Sequence, residues 1–438
     1  MTPATATFVL VPQHFGCVLF DRARVRYLPF DRAGSELLAA TARLPLRAVL
    51  AALPDAERPA AAAFFEHFYD EGLFDIGGRL LGVALEVTDL PADHLLGPLV
   101  THLEVVAACN LTCTHCFAGT LPRPGRLLDL SELERLFAEL AAVGCFRLNL
   151  TGGEPLLRRD LLELIELARA AGLHCTLTSN GLLLDERLAR AFGQREDLRL
   201  NLSLDGATAA THDAVRGPGS FAALLERLAL LRRHARFGLA FTVGAHNAHE
   251  VADFVALSRR LGADAAVVRP LYPTGEALRH PELIPTLATW SQAASALARL
   301  GLPDAGAELC GLDPRPATHE LGIPANAGCS AGRLQCSISA HGALSPCSFL
   351  GPDFEAGSVR ERSFAALWRE SQRFRLLREV AGRVDGCRAR GLHLGGSLEA
   401  PDPWEEAWRQ EPGRAPALGT ALLRPRERPL PLVRETRY

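Results

Sequence analysis

Between Thr101 and Leu300 the apolar residues of this chain switch back and forth between two periods. Short apolar or alternating runs predict strands at His102–Ala107, Phe146–Leu150, His174–Thr178, Leu198–Leu204, Leu239–Val243 and Ala265–Arg269. Between them, apolar positions recur every three or four residues. That spacing predicts helices over Leu130–Ala142, Leu161–Ala171, Glu186–Phe192, Phe221–His234 and Glu250–Leu261, with Leu287–Leu300 after the sixth strand. Six such repeats predict an α/β fold, a partial (β/α)6 TIM-like barrel spanning residues 98–305. In barrels of this kind the chemistry gathers at the C-terminal ends of the strands.

The flanks read differently. Val18–Phe20 and Val25–Leu28 predict a hairpin, Asp31 can cap a helix running to Ala42, and a second short helix follows Pro45. A third helix, Ala56–Glu71, carries Phe64, Phe65, Phe68 and Tyr69 and stops at Gly72. Leu73–Ile76 and Leu80–Val87 then predict a closing hairpin around Gly77 and Gly78. Residues 1–97 are therefore expected to form a winged-helix-like domain. Residues 306–400 are rich in Gly and Cys and only weakly periodic. Residues 401–438 predict a terminal helix and a flexible tail.

Composition narrows the chemistry. The 438 residues are 48% hydrophobic and 22% charged, with a formal net charge of −3, so no general grip on nucleic-acid phosphates is expected. No apolar run approaches the ~20 residues of a membrane span. The first twenty residues lack the basic start and small-residue cleavage site of a secretory signal, so a cytoplasmic protein is expected. Every Lys+Arg position is Arg. Schiff-base, P-loop and general-base lysines are therefore excluded. Eleven cysteines in a chain of this kind point to metal or cluster ligation for those that lie close together.

The densest group, Cys109-Asn-Leu-Thr-Cys113-Thr-His-Cys116, directly follows the first predicted barrel strand. Three thiolates can hold a four-iron cluster while leaving one iron open to a chelating small molecule. The competing reading is a zinc site completed by His115. The loop, with His115 in its aromatic slot, resembles the cluster motif of radical S-adenosylmethionine (radical SAM) enzymes. Gly152-Gly153-Glu154 after the second strand, Ser179-Asn180-Gly181 after the third and Ser203-Leu204-Asp205 after the fourth each resemble that family's later motifs.

The resemblance implies that Cys109, Cys113 and Cys116 bind a [4Fe–4S] cluster whose open iron takes S-adenosylmethionine. It also implies cofactor contacts from Gly152, Gly153 and Glu154, from Ser203 at the ribose, and from Arg216 at the carboxylate. Asn180 and Asp205 are either cofactor contacts or turn formers. Further on, Cys329, Gly342 and Cys347 resemble the opening of a SPASM/twitch domain, with Cys387 beginning its later part. Arg390, Gly396 and Ala400 stand where a full SPASM domain has cysteines. One auxiliary [4Fe–4S] or [2Fe–2S] cluster is therefore expected, on Cys329, Cys347 and Cys387 with Cys310 or Cys336 as fourth ligand.

The N-terminal domain resembles the leader-recognition elements of peptide-modifying maturases, which bind a peptide as an added strand. Its helices present no basic face, which weighs against DNA binding, and a purely structural cap on the barrel is the third reading. The function implied is radical modification of a ribosomally synthesised precursor peptide, such as a cross-link or an epimerisation. An external electron donor such as flavodoxin or ferredoxin is expected, with no nucleic-acid or membrane partner. The alternatives are a radical SAM dehydrogenase of a sugar, aminocyclitol or tetrapyrrole, and a metal-dependent winged-helix regulator.

Overall fold

A computed structural model describes residues 3–69, 72–119, 125–195, 197–300, 329–410 and 419–422. The chain opens with three antiparallel strands, β1 (Phe8–Gln13), β2 (Gly16–Asp21) and β3 (Arg26–Asp31). Three helices follow: α1 (Arg32–Thr41), α2 (Leu46–Ala52) and α3 (Arg58–Tyr69). The Asp31 carboxylate caps α1 by accepting from the Gly34 amide at 2.7 Å. The expected closing hairpin shrinks to a single bridge between Phe74 and Leu80. Beyond it β4 (Gly82–Ala84) runs parallel to β1, giving the sheet order β3-β2-β1-β4.

One face of this small sheet packs on its own helices, through Leu28, Phe30, Phe65 and Phe74. The other face joins the main core, where Val9, Val11, Phe20 and Tyr27 pack with Phe146. The buried Tyr27 hydroxyl donates to the Gly144 carbonyl at 3.1 Å and accepts from the Phe146 amide at 2.8 Å. Gly144 and Phe146 lie just before a barrel strand, so the N-terminal domain is docked beneath the barrel floor.

The barrel strands are β5 (Val100–Val106), β6 (Arg147–Gly152), β7 (His174–Ser179), β8 (Arg199–Ser203), β9 (Gly238–Val243) and β10 (Ala265–Pro270). All six pair in parallel and in sequence order. Their helices are α4 (Leu130–Ala142), α5 (Leu161–Ala170), α6 (Glu186–Gly193), α7 (Ala209–Arg216), α8 (Ser220–Leu231), α9 (Val251–Leu261) and α10 (Leu287–Arg299). Asp129 and Glu132 close a full capping box on α4. The hydrophobic pattern anticipates every one of these helices except α7.

The C-terminal part adds strands rather than standing apart. β11 (Gln335–Ile338) pairs in parallel with β5, and β12 (Ala343–Ser345) and β13 (Gly357–Ser358) continue the sheet antiparallel. Four helices cover this end: α11 (Phe364–Glu370), α12 (Gln372–Arg383), α13 (Arg388–Gly395) and α14 (Pro403–Gln410). The tail expected to be flexible contains β14 (Gly419–Leu422), which pairs antiparallel with β10. Among the described residues no helix is long and apolar enough to cross a membrane.

Candidate active site

The three thiols of Cys109, Cys113 and Cys116 sit on the loop leaving the C-terminal end of β5, and none is in a disulfide. Backbone bonds hold the loop. Thr114 donates to the Val215 carbonyl at 3.1 Å, Cys116 to Cys113 at 3.2 Å, and Glu276 to Cys116 at 2.9 Å. Burial pushes the Cys113 thiol up to about 11 and raises Cys116, while the Arg216 guanidinium pulls both back.

Arg216, in the last turn of α7, is itself positioned by Asp205. Its Nε donates to Asp205 Oδ2 at 2.6 Å. His115 Nε2 approaches the same oxygen at 3.1 Å, and the Thr242 amide donates to Oδ1 at 2.6 Å. Asp205 is fully buried. Burial alone would raise its carboxyl, but Arg216, His115 and the Thr242 amide outweigh that and hold it well below the usual carboxylate range. The sequence left Asp205 as cofactor contact or turn former. In the structure its two oxygens serve protein partners, and it positions Arg216 and His115. The zinc reading loses its fourth ligand here, since His115 turns to Asp205. Among the described residues no three His, Cys, Asp or Glu side chains close on a single-ion site.

Gly152 and Gly153 bring the end of β6 against the start of the thiol loop. A Cβ on Gly152, which has φ of +144°, would run into the Val106 carbonyl. One on Gly153 would run into the carbonyl oxygen of Ala108. Glu154 is 1% exposed and accepts from the Leu156 amide at 3.0 Å, the Ser179 hydroxyl at 2.7 Å and the Asn180 amide at 2.8 Å. Asn180 in turn donates through Nδ2 to Asn110 Oδ1 at 2.8 Å and accepts from Leu182. Both side chains tie the ends of β6 and β7 to the thiol loop. Ser203 ends β8 and shares its strand face with the inward positions.

The barrel interior is polar. His102, Asn149 and Thr176 lie side by side on β5, β6 and β7. Asn149 Nδ2 donates to His102 Nδ1 at 3.4 Å, and His102 Nε2 meets Gln335 Oε1 at 3.3 Å. A barrel packed for stability alone would carry branched apolar side chains at these positions.

At the mouth, Phe349 joins the thiol loop to the C-terminal part. Its ring meets Phe117 edge-on at 5.6 Å and stacks on Tyr272 at 4.5 Å. Cys329, Cys347 and Cys387 share one apolar cluster with Phe349, and all three influence the Tyr272 hydroxyl. Cys336 does not join them. It faces the main core beside Thr101 Oγ1 at 3.5 Å, because alternate strand residues point to opposite faces. Its neighbour Gln335 is the one that faces Cys347, with Nε2 4.0 Å from the sulfur. Cys310 lies outside the described residues.

Arg390, in place of a SPASM cysteine, pairs with Asp402 through Nε–Oδ1 at 2.8 Å and Nη2–Oδ2 at 2.7 Å, and lies over Trp404. Arg388 is fully buried and donates to the carbonyls of Leu398, Ala400 and Asp385. Two arginines thus organise the loop that cysteines would otherwise hold through iron.

Residues 103–257 match the Radical SAM superfamily, and residues 329–389 match the SPASM iron–sulfur cluster-binding domain. The mycofactocin maturase MftC of Mycobacterium ulcerans is 31% identical over 70% of this chain and 87% of its own length. The chain belongs to the radical SAM superfamily. The AdoMet-dependent heme synthase of Methanosarcina barkeri is also 31% identical, over 70% of this chain and 96% of its own length. Among solved structures, Streptococcus suis SuiB bound to S-adenosylmethionine superposes with a TM-score of 0.65, covering 90% of this chain and 97% of SuiB at 14% identity.

Family membership makes this an enzyme whose cofactors are a [4Fe–4S] cluster and S-adenosylmethionine, with iron–sulfur ligation in the SPASM part. The residues present fit both groups. Three unpaired thiols share one loop beside the Arg216 cation, the glycine pair seats the end of β6 directly against that loop, and Thr114 Oγ1 and His115 Nδ1 are buried without partners. The regulator reading falls with this assignment.

Proposed function

We propose that this radical SAM enzyme modifies a ribosomally synthesised precursor peptide, whose leader is held by residues 1–97 and whose core segment enters the barrel mouth. The observation that carries the reading is the outer edge of β3. This terminal strand of the small sheet lies beside Phe64 and Phe68 of α3, in a domain docked directly on the barrel. An edge strand next to an aromatic groove suits an added peptide strand, with backbone bonds supplying affinity and the groove supplying selectivity. Pro29 removes one donor from β3, which limits how many ladder bonds an incoming strand can make. Two relatives are named for peptide work, the mycofactocin maturase and the PqqA peptide cyclase of Rhodopseudomonas palustris. SuiB has also been solved with its precursor peptide SuiA.

In this reading Cys109, Cys113 and Cys116 hold the cluster, and Cys329, Cys347 and Cys387 hold an auxiliary one. When bound, the cluster and S-adenosylmethionine supply a 5′-deoxyadenosyl radical that removes a hydrogen atom from an unactivated C–H bond. The chain's own residues orient and exclude. Gly152 and Gly153 seat the end of β6 against the thiol loop at the methionine end, Ser203 faces the ribose, and Arg216, steadied by Asp205, offers its remaining guanidinium nitrogens to the carboxylate. Electrons come from an external donor such as flavodoxin or ferredoxin.

Anaerobic co-expression with candidate precursors tests the reading by mass spectrometry. A cross-link removes two hydrogens, and an epimerisation leaves mass unchanged but takes up deuterium from solvent. A Phe68→Asp variant should raise KM for the full precursor and leave peptide-free cleavage of S-adenosylmethionine intact. Precursors that emerge unmodified and unlabelled would count against the reading. The heme synthase relative keeps a tetrapyrrole as the second substrate class, and that reading predicts no effect of Phe68→Asp on turnover.

A further inference from the structure

Arg269 stands at the C-terminal end of β10, in register with Thr242 of β9. Val268 and Ala266 face the helices in the main core, so the alternation of the strand turns Arg269 into the barrel. Its Nε is buried with no hydrogen-bond partner. The charges that act on it most are the Tyr272 hydroxyl and a second cation, Arg147, and no carboxylate is among them. Both arginines also act on His102, which burial and these cations keep neutral, down to about 4.

Four other buried or part-buried arginines are answered. Arg216 has Asp205, Arg158 has Asp160 and two carbonyls, Arg390 has Asp402, and Arg388 has a cage of carbonyls. A buried guanidinium N–H without an acceptor is costly, and such a cost persists where a ligand repays it.

We propose that Arg269 is the anchor for a carboxylate of the substrate, bound at the barrel mouth beside Tyr272. A planar fork suits a carboxylate, and the position lies at the same strand end as the thiol loop. The source of the carboxylate rests on the peptide reading: an Asp or Glu side chain of the core segment, or the peptide's C-terminus. Arg216, nearer the thiols, is the guanidinium left for the cofactor.

The test compares full-length, anaerobically reconstituted wild type with Arg269→Gln and Arg269→Lys. Thermal melting without ligand comes first. Losing a cation whose buried Nε is unanswered should raise Tm of Arg269→Gln by about 2–4 °C, whereas a fall of that size would make Arg269 a structural brace and overturn the proposal. Ligand-observed NMR then uses three probes: N-acetylglycine, N-acetylglutamic acid α-amide and the neutral N-acetylglutamine amide. Wild type should bind one acid about tenfold more tightly than the neutral probe, and which acid does so identifies the source. The preference should vanish in Arg269→Gln and weaken several-fold in Arg269→Lys, which keeps charge without the fork. Should Arg269→Gln fail to fold, the Lys variant decides on the same probes. Equal binding of acid and neutral probes by wild type overturns the proposal. So does a loss of S-adenosylmethionine affinity in Arg269→Gln with acid binding unchanged. Full peptide modification by Arg269→Gln would sink the anchor and leave the peptide reading standing. Acid binding through Arg269 in a protein that modifies no peptide would do the reverse.

Discussion

His115 Nε2 lies 3.1 Å from Asp205 Oδ2, so the residue between the Cys113 and Cys116 thiols is held by the loop that follows the fourth barrel strand. The same oxygen takes Arg216. One buried carboxylate therefore sets the position of the thiol loop and of the cation beside it.

Asp205→Asn keeps the shape and removes the charge, leaving Arg216 buried without its counter-ion. The expected loss is about 3 kcal/mol of stability, with lower iron loading on the N-terminal thiols. Thermal melts and iron content, measured on the same preparations, check this. An unchanged Tm would mean the ion pair contributes nothing net.

Gly153→Ala tests the close approach of β6 to the thiol loop. The added methyl group meets the Ala108 carbonyl oxygen, a backbone atom that cannot swing away. A cost of about 2–3 kcal/mol and at least a tenfold loss of S-adenosylmethionine affinity are expected. Equilibrium dialysis of the reconstituted variant gives the second figure.

Iron counting separates the cysteines. Wild type should hold about 8 iron atoms, and the Cys109/Cys113/Cys116→Ala variant about 4. Cys347→Ala should also fall to about 4. Cys336→Ala should leave the count unchanged, because its sulfur packs in the core beside Thr101. A drop on Cys336→Ala would require β11 to present its other face.

The pH dependence follows from buried neutral histidines. His212 is 1% exposed, and its Nδ1 accepts from the Asp205 amide at 3.1 Å. Burial first, then Arg216, lowers it to about 4. The unfolded chain, with an ordinary histidine near 6.5, binds more protons between those values. Stability from this residue is therefore complete above about pH 6.5 and is lost as pH falls towards 4, by on the order of 3 kcal/mol. Chemical denaturation at stepped pH should show the slope, and His212→Gln should flatten it.

How far the sequence reached depended on whether a feature was local. Strand and helix periods are local, and the six repeats follow them closely. α7 escaped because its apolar face is thin. Over Ala209–Arg216 only His212 and Val215 are buried, although the Thr208 cap was visible. The thiol triplet and the glycine pair were legible because each is contiguous. Asp205's partners, 90 positions back at His115 and 37 ahead at Thr242, meet only through the fold. Cys336 was open to a parity argument, since Gln335 and Cys336 cannot face the same way on one strand. β11 itself, only four residues long, carries too little pattern to be read as a strand.

The docking of Tyr27 under Gly144 and Phe146 fixes a distance as well as a contact. β3 lies at the floor of the barrel and the thiols at its mouth, with strands of six or seven residues between them. At roughly 3.3 Å per residue that wall is about 20 Å tall. A peptide gripped along β3 must climb it, and an extended chain spans no more than about 3.6 Å per residue. If β3 grips the leader, the rigid platform acts as a ruler. Residues immediately after the gripped segment would then be out of reach of the radical, and the first position open to reaction would lie some six or more residues further along.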